Sequence, residues 1–403
     1  MKHTMLLLAA ACAAPLAQAE FAIPGFELVQ TAPLETSLVN RDLRDPATVW
    51  TQLFDGATRE IVIGQYYAVS KAGTPFDKVV DRLAAAGRRG VKIRFLLDRK
   101  GIALSDPGTV ERLRAVPNLE LRILDFGKLT GTGINHAKYL AVDGKAAYIG
   151  SQNFDWRSFS HIHETGLLVT DPTVVGQVLS VFEQDWRAHL QLAAGDTVPR
   201  YAVVPLIRAT GPVQLLSSPA AYNPAGVADS EAVLPSLLAE ARNEIRVQLL
   251  EYMPLAYGAD NTRPYYGVID AALRAAAARG VTVKLAVSNW NLEQPALAWL
   301  KSLALVPRVQ IRIVTLPQAS SGPIPYARVI HSKIMAIDGK LAWVGTSNWA
   351  GGYFDKSRNL EVVLRNEKMA QRLAALHEQT WSSPYAQPLD VAKDYPKPNK
   401  AAQ

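Results

Sequence analysis

An α/β fold of two similar lobes, each a mixed sheet flanked by helices, is predicted by three features of the sequence. Strand-like and helix-like periodicities alternate along both halves, the pattern of a largely parallel or mixed sheet covered by helices. The second half repeats the first at a nearly constant offset. An unusual pattern also occurs once in each half, as HAKYLAVDGKAAYIGSQN (136–153) and HSKIMAIDGKLAWVGTSN (331–348). Together these predict an intramolecular pseudo-dimer, with one site in the cleft on its pseudo-twofold axis.

Each half reads strand, helix, strand, helix, strand, then a hairpin. The first strands are EIVIGQYY (60–67) and EIRVQLLEY (244–252). Helices near 76–87 and 265–279 end at Arg-Gly, a good stop signal. LAAAGRRGVKIRFLL (83–97) parallels LRAAAARGVTVKLAV (273–287), and VPNLELRI (116–123) parallels VPRVQIRI (306–313). Both pairs are 190 residues apart and the hairpins 195, which puts about five extra residues in the second half, at 320–328. The DG pairs Asp143-Gly144 and Asp338-Gly339 are hairpin-turn signals. We expect an N-terminal lobe over 20–195, a linker over 196–212, a C-terminal lobe over 213–385 and a Pro- and Lys-rich disordered tail over 386–403.

The N-terminus reads as a cleavable export signal over 1–19: Lys2 and His3, a short apolar run, then Ala17-Gln18-Ala19. The run is too short for a membrane span, so a periplasmic or secreted protein is expected. The single cysteine, Cys12, lies in this leader, so cysteine nucleophiles and thiolate metal sites are excluded from the mature chain. The net charge of +7 suits polyanionic substrates or anionic lipid surfaces. No polybasic run of the kind a nucleic-acid coat protein needs is present.

Both repeated segments fit His-x-Lys-x4-Asp-x6-Gly-Ser/Thr-x-Asn without a gap. Side chains alternate along a strand, so His136 and Lys138 share a face, as do His331 and Lys333. Asp143 and Asp338 fall at the turns and are expected to brace the hairpins. Gly150 and Gly345 permit close backbone approach. Asn153 and Asn348 can donate to phosphate oxygens, and Ser151 and Thr346 can either donate too or hold the loop. Two lysines and two asparagines would offset a phosphodiester's charge. Two histidines, titrating near neutrality, can be neutral and protonated at the same pH.

The chain resembles the phospholipase D superfamily, whose repeated motif is called HKD. The resemblance runs from about residue 26 to 381. IPYARVIHSKIMAIDGKLAWVGTSNWAGGYF (324–354), GSQNFDWRSFS (150–160) and RPYYGVIDAALRAAAARGVTVKLAVSNW (263–290) resemble in particular the branch of lysosomal phospholipase D-like 5′ exonucleases. This implies two phospholipase D-type lobes and a metal-independent, cofactor-free phosphodiesterase working through a phosphohistidine. By the same analogy His136 is the nucleophile and His331 the general acid/base. Glu164, 28 residues after His136, and Glu361, 30 after His331, resemble the family's His-orienting acid. The chain departs from the lysosomal relatives in lacking disulfides outside the leader.

The substrate is then a phosphodiester in single-stranded nucleic acid, with hydrolysis or exchange of a phospholipid headgroup as the alternative. No obligate protein partner is expected, while peripheral membrane contact is compatible with the charge. A cardiolipin-synthase-like transferase is disfavoured because no pair of membrane-spanning segments precedes the first motif. An inactive binding protein is disfavoured because both motifs are complete. His161 and His163 are read as structural before metal-binding, and His189 and His377 as surface positions on helices. Tyr66, Tyr67, Tyr252, Trp156, Trp349, Tyr353 and Phe354 are candidates to line the cleft or to pack beneath it.

Overall fold

The computed structural model describes residues 21–200, 211–256 and 262–401. The expected leader and most of the expected linker lie outside these residues. Two mixed sheets are present. The first runs Ala22–Ile23, Phe26–Thr31, Glu164–Val169, Ala146–Gly150, Tyr139–Val142, Glu60–Gln65, Lys92–Asp98, Leu119–Leu124. The second repeats that order from Val213–Ser218 through Asn359–Leu364, Leu341–Gly345, Ile334–Ile337, Glu244–Leu249 and Thr282–Ser288 to Val309–Val314. In both, the three strands joined by helical crossovers are parallel and the motif hairpin is antiparallel to them. The strands Phe26–Thr31 and Val213–Ser218, each followed by a helix (Pro46–Gly56 and Ser230–Glu240), open the two halves and go beyond the sequence reading.

Local chemistry starts the helices. Four in the first half begin with Pro at their first position behind a capping Asp45, Thr74, Asp106 or Asp171, whose side chain accepts an N–H of the first turn. The hairpin turns put Asp143 and Gly144 at φ +55 and +70, and Asp338 and Gly339 at +52 and +64. These left-handed pairs make the primed turn whose twist matches the strands. The Asp143 carboxylate accepts from the amides of Thr58, Arg59 and Glu60, and that of Asp338 from Arg242, Asn243 and Glu244. Each aspartate thus ties its hairpin to the start of the neighbouring central strand, the bracing expected of it.

Strand alternation builds the core in layers. Tyr139 and Ala141, with Ile334 and Ala336, face a core shared by both halves, which includes Val178 and Phe182 of the helix Pro172–Ala194 and Leu373 of Glu367–Trp381. Leu140 and Val142 face the outer core of the first half, and Met335 and Ile337 that of the second. The halves therefore cannot separate without exposing a common interior. Through it runs one buried ion pair: the Arg358 guanidinium takes Asp185 bidentately at 2.9 and 2.8 Å, and also donates to Ser218 O, Tyr222 O and Asn223 Oδ1.

Two expectations are corrected. The 386–403 segment is not disordered over its described length: Ala386–Pro388 adds an edge strand to Val309–Val314, and the chain continues along the second lobe to Lys400. The Pro and Lys content that suggested disorder is offset by backbone pairing and by ion pairs with Glu293. His377 is buried rather than at the surface, stacked on Trp381 at 5.3 Å.

Removing one partner of a buried charge pair strands the other. Asp185→Ala should therefore lower the unfolding free energy by about 3–5 kcal/mol, read as a fall in the denaturant midpoint. A loss below 1 kcal/mol would show that Arg358 does not depend on Asp185.

Candidate active site

The two motif histidines are held by a reciprocal exchange between halves. The His136 amide donates to Arg358 O at 3.0 Å, and the His331 amide to His163 O at 2.8 Å. The next residue of each contacted segment then reaches the ring: Asn359 Oδ1 lies 3.0 Å from His136 Nδ1, and Glu164 Oε2 lies 2.7 Å from His331 Nδ1. The pairs 163–164 and 358–359 are 195 residues apart, the motif offset. Each half therefore supplies a histidine and the clamp for the other half's histidine.

This corrects the expectation for Glu361. Its carboxylate is buried between the hydroxyls of Ser230 and Ser347 and touches no histidine. The place equivalent to Glu164 belongs to Asn359, which a strict 195-residue offset would have found. Glu164 does orient a histidine, but His331 rather than that of its own half.

Asn359 also fixes a tautomer. Its Nδ2 donates to Tyr353 O at 2.8 Å, and its Oδ1 accepts from Thr346 Oγ1 at 2.9 Å. The oxygen therefore faces His136, whose Nδ1 must carry the hydrogen, leaving the Nε2 lone pair available. The ring edge meets Tyr353 at 4.9 Å, and Tyr66 lies at 5.9 Å.

Lys138 and Lys333 are buried, each donating to its own motif's histidine carbonyl, His136 O and His331 O (2.6 Å for Lys333). Asn153 and Asn348 are buried with their Oδ1 atoms unpartnered. Ser151 and Thr346 are corrected from phosphate ligands to props: Ser151 Oγ bonds Thr165 N and O, and Thr346 Oγ1 bonds Leu360 N and Asn359 Oδ1. Those partners use the single donor each hydroxyl has. A Cβ at Gly150 would sit 2.8 Å from Gly166 Cα, so the residue before Ser151 must be glycine for the strands to meet.

The other aromatic and histidine candidates fall into place. Tyr67 bonds Asp155, Tyr252 bonds Asp270, and Trp349 and Phe354 pack in the second lobe's core. His163 is buried between Gln30 and Gln248, and burial lowers it to about 4, so it stays neutral. Trp156 borders His161 at the cleft flank, and His189 is half-buried. No group of three or more His, Cys, Asp or Glu is placed to hold a metal ion among the described residues.

Four basic groups gather here around one acidic partner, Glu164. Burial, then the charge of Lys333, holds Lys138 well below its ordinary range, and burial lowers Lys333 to about 7. Burial and the two lysines keep both histidines well below theirs. Burial raises Glu164 to about 8, opposed chiefly by Lys333. An anion placed among these groups would oppose the lowering of the lysines and histidines and would raise Glu164 further.

Two outcomes follow. Asn359→Asp puts a carboxylate against His136 Nδ1 and should raise that ring's pKa by about one unit or more, measured by NMR titration; an unchanged value would mean Asn359 is not its partner. Binding of tungstate at pH 8 should be accompanied by proton uptake, because Lys333 at about 7 is mostly neutral there and the anion raises it. Calorimetry in buffers of different ionisation enthalpy reads the sign, and proton release would contradict it.

Comparison with known proteins agrees with this architecture. The family model described as "Cardiolipin synthase, PLD-like domain" matches residues 50–186 and 234–381. A probable phospholipase D of Caenorhabditis elegans is 28% identical, the match covering 90% of this chain and 70% of that protein. The 5'-3' exonuclease PLD4 of Mus musculus is 30% identical, covering 85% of this chain and 75% of that one. The crystal structure of a phosphatidylserine synthase from Haemophilus influenzae Rd KW20 shares the fold with a TM-score of 0.58 at 10% identity, covering 85% of each chain. Two family segments, each carrying one half of a single histidine–lysine–asparagine site, make this chain a member of the phospholipase D-like family of phosphodiesterases.

Proposed function

We propose that the protein is an exported phosphodiesterase that cleaves single-stranded nucleic acid through a phosphohistidine on His136. The observation that carries the order of events is the unlike support of the two rings. An amide oxygen holds His136 neutral with Nε2 bare, whereas the Glu164 carboxyl, which burial pushes up to about 8, gives His331 an acidic partner that can share its proton with the ring. His136 Nε2 attacks phosphorus, and His331 gives its proton to the alkoxide as the P–O bond breaks. His331, now neutral, takes a proton from water; the water oxygen attacks phosphorus, the P–N bond breaks and His136 is regenerated. Lys138, Lys333, Asn153 and Asn348 stabilise the non-bridging oxygens, where negative charge concentrates. No step calls for a metal.

Single-stranded nucleic acid is supported by the relatives named 5'-3' exonucleases and by the basic balance. Aromatic–cation pairs also flank the cleft, Lys71 over Trp156 at 4.5 Å and Lys400 over Trp290 at 5.4 Å, and both tryptophans pack on one cluster. Base stacking on such platforms beside basic groups is a common mode of strand binding. The second reading, a phospholipid headgroup, is favoured by the exposed apolar side chains Leu34 and Tyr326, both more than half exposed. Export rests on the leader-like composition of residues 1–19.

The test offers a 5′-hydroxyl single-stranded oligonucleotide and, separately, phosphatidylcholine vesicles, each with and without a chelator. Cleavage of the oligonucleotide that persists with chelator is expected; turnover of the vesicles alone would install the second reading. Lys138→Ala and Lys333→Ala should each lower kcat by about 10²–10³, and activity surviving both would end the mechanism. With a p-nitrophenyl phosphodiester, whose leaving group needs no acid, His331→Ala should accumulate phosphohistidine on His136. Recovery of the adduct on His331 in His136→Ala, with none in His331→Ala, would reverse the two roles.

A further inference from the structure

Pseudo-symmetry breaks beside the site. In the first half, Tyr67 OH bonds Asp155 Oδ2 at 2.8 Å, and Arg157 clamps that aspartate, so the space next to the motif loop is filled. The pairings Ala68↔Phe154 and Tyr252↔Trp349 put Glu251 and Ala350 at the equivalent places in the second half. There a cavity of about 410 Å³ opens instead. Its lining includes Asn348 of the motif, Tyr353 against His136, and Glu251, Arg263, Trp290 and Lys400. Its size is at the small end of ligand cavities, ~300–1,000 Å³, which suits one monomer unit of a chain.

Lys400 arrives from far along the chain. After the edge strand Ala386–Pro388, the C-terminal segment is fastened by Lys301 Nζ to Lys393 O at 2.6 Å, and by Tyr326 N to Lys400 O at 2.8 Å. Two ammonium groups then share one carboxylate: Lys397 lies 2.6 Å from Glu293 Oε1, and Lys400 2.8 Å from Glu293 Oε2. The surplus positive charge sits at the cavity, over the face of Trp290. Burial pushes the Glu251 carboxyl up, and Lys400 is the first of the cations that oppose this.

We propose that Lys400, delivered by the C-terminal segment, is a specificity-determining residue that binds the phosphate adjacent to the scissile one while Trp290 receives the intervening base. This rests on the nucleic-acid reading above. The ammonium is already positioned by backbone and ion-pair contacts, so little ordering is lost on binding. Its bond to Glu293 is not given up, because an ammonium has three donors. Glu251 lines the same cavity.

The test compares wild type with Lys400→Ala and Lys400→Arg on a short single-stranded oligonucleotide and on bis(p-nitrophenyl) phosphate, which has no second phosphate. Lys400→Ala should raise KM for the oligonucleotide about tenfold, with kcat falling less than twofold. That loss should exceed any loss on bis(p-nitrophenyl) phosphate at least fivefold, and Lys400→Arg should recover most of it. The slope of log KM against log salt should become shallower by about 0.7, the contribution of one phosphate contact on a single strand; a purely structural role for Lys400 would leave it unmoved. Equal losses on both substrates, or an unchanged salt slope, would overturn the inference while leaving the phosphodiesterase reading intact. Wild type that cleaves bis(p-nitrophenyl) phosphate but no oligonucleotide would sink the substrate reading and this inference with it.

Discussion

The exchange of backbone and side-chain contacts at residues 163–164 and 358–359 is the constraint on which the site depends. Each motif hairpin presents a histidine that its own half does not orient. The amide bonds to His163 O and Arg358 O set each histidine's backbone, and Glu164 and Asn359 then set each ring. A histidine free to rotate about χ2 would offer either nitrogen, and half of its population would be the wrong tautomer or direction. The duplication is thus required by the chemistry: one half is an unoriented histidine together with a clamp for an absent partner. The shared interior of Tyr139, Ile334 and their neighbours, with the Arg358–Asp185 pair, keeps the two clamps in register.

The same enclosure that orients the rings makes them electrostatically expensive. Four basic side chains share a space from which water is largely removed, and among the described residues Glu164 is the acid that contacts one of them. Burial lowers every one of their proton affinities. An anion held among them would therefore favour their charged forms. Coupling of this kind selects for a group that keeps its negative charge, as a phosphodiester does, over a neutral ester of the same shape.

Much of this was legible in the sequence, because the governing periodicities are short. The His-x-Lys spacing put each histidine with its lysine just ahead of the strands Tyr139–Val142 and Ile334–Ile337, and the DG pairs placed the turns and their aspartates. What was not legible depended on partners distant in sequence. Glu361 stands out in the sequence because it is an acid in a similar apolar run, but the 195-residue offset leads from Glu164 to Asn359. Ser151 and Thr346 looked like donors until the strand beside them was known to use their hydroxyls. His377 lies in a helix, as expected, but the face that is buried depends on where Trp381 and the sheet sit. The C-terminal segment has a disorder-prone composition, and only the unpaired edge of Val309–Val314 and the carboxylate of Glu293 give it a path.

Directionality comes from the few places where the halves differ. A fully symmetric site would let either histidine attack and would accept a strand in both orientations. An amide in place of a carboxyl at one of two equivalent positions gives the two rings unlike partners. Glu251 and Ala350 stand where the first half has the bonded pair Tyr67 and Asp155, and a cavity opens beside Glu251. Both changes lie on the segments next to the motifs rather than in them, so the motifs could remain near-identical while the catalyst acquired a front and a back. The two asymmetries also point the same way: Tyr353, whose carbonyl holds Asn359 and whose ring meets His136, is itself a wall of the cavity. On the reading proposed above, the choice of nucleophile and the choice of which side of the phosphate is recognised would be linked through this one residue.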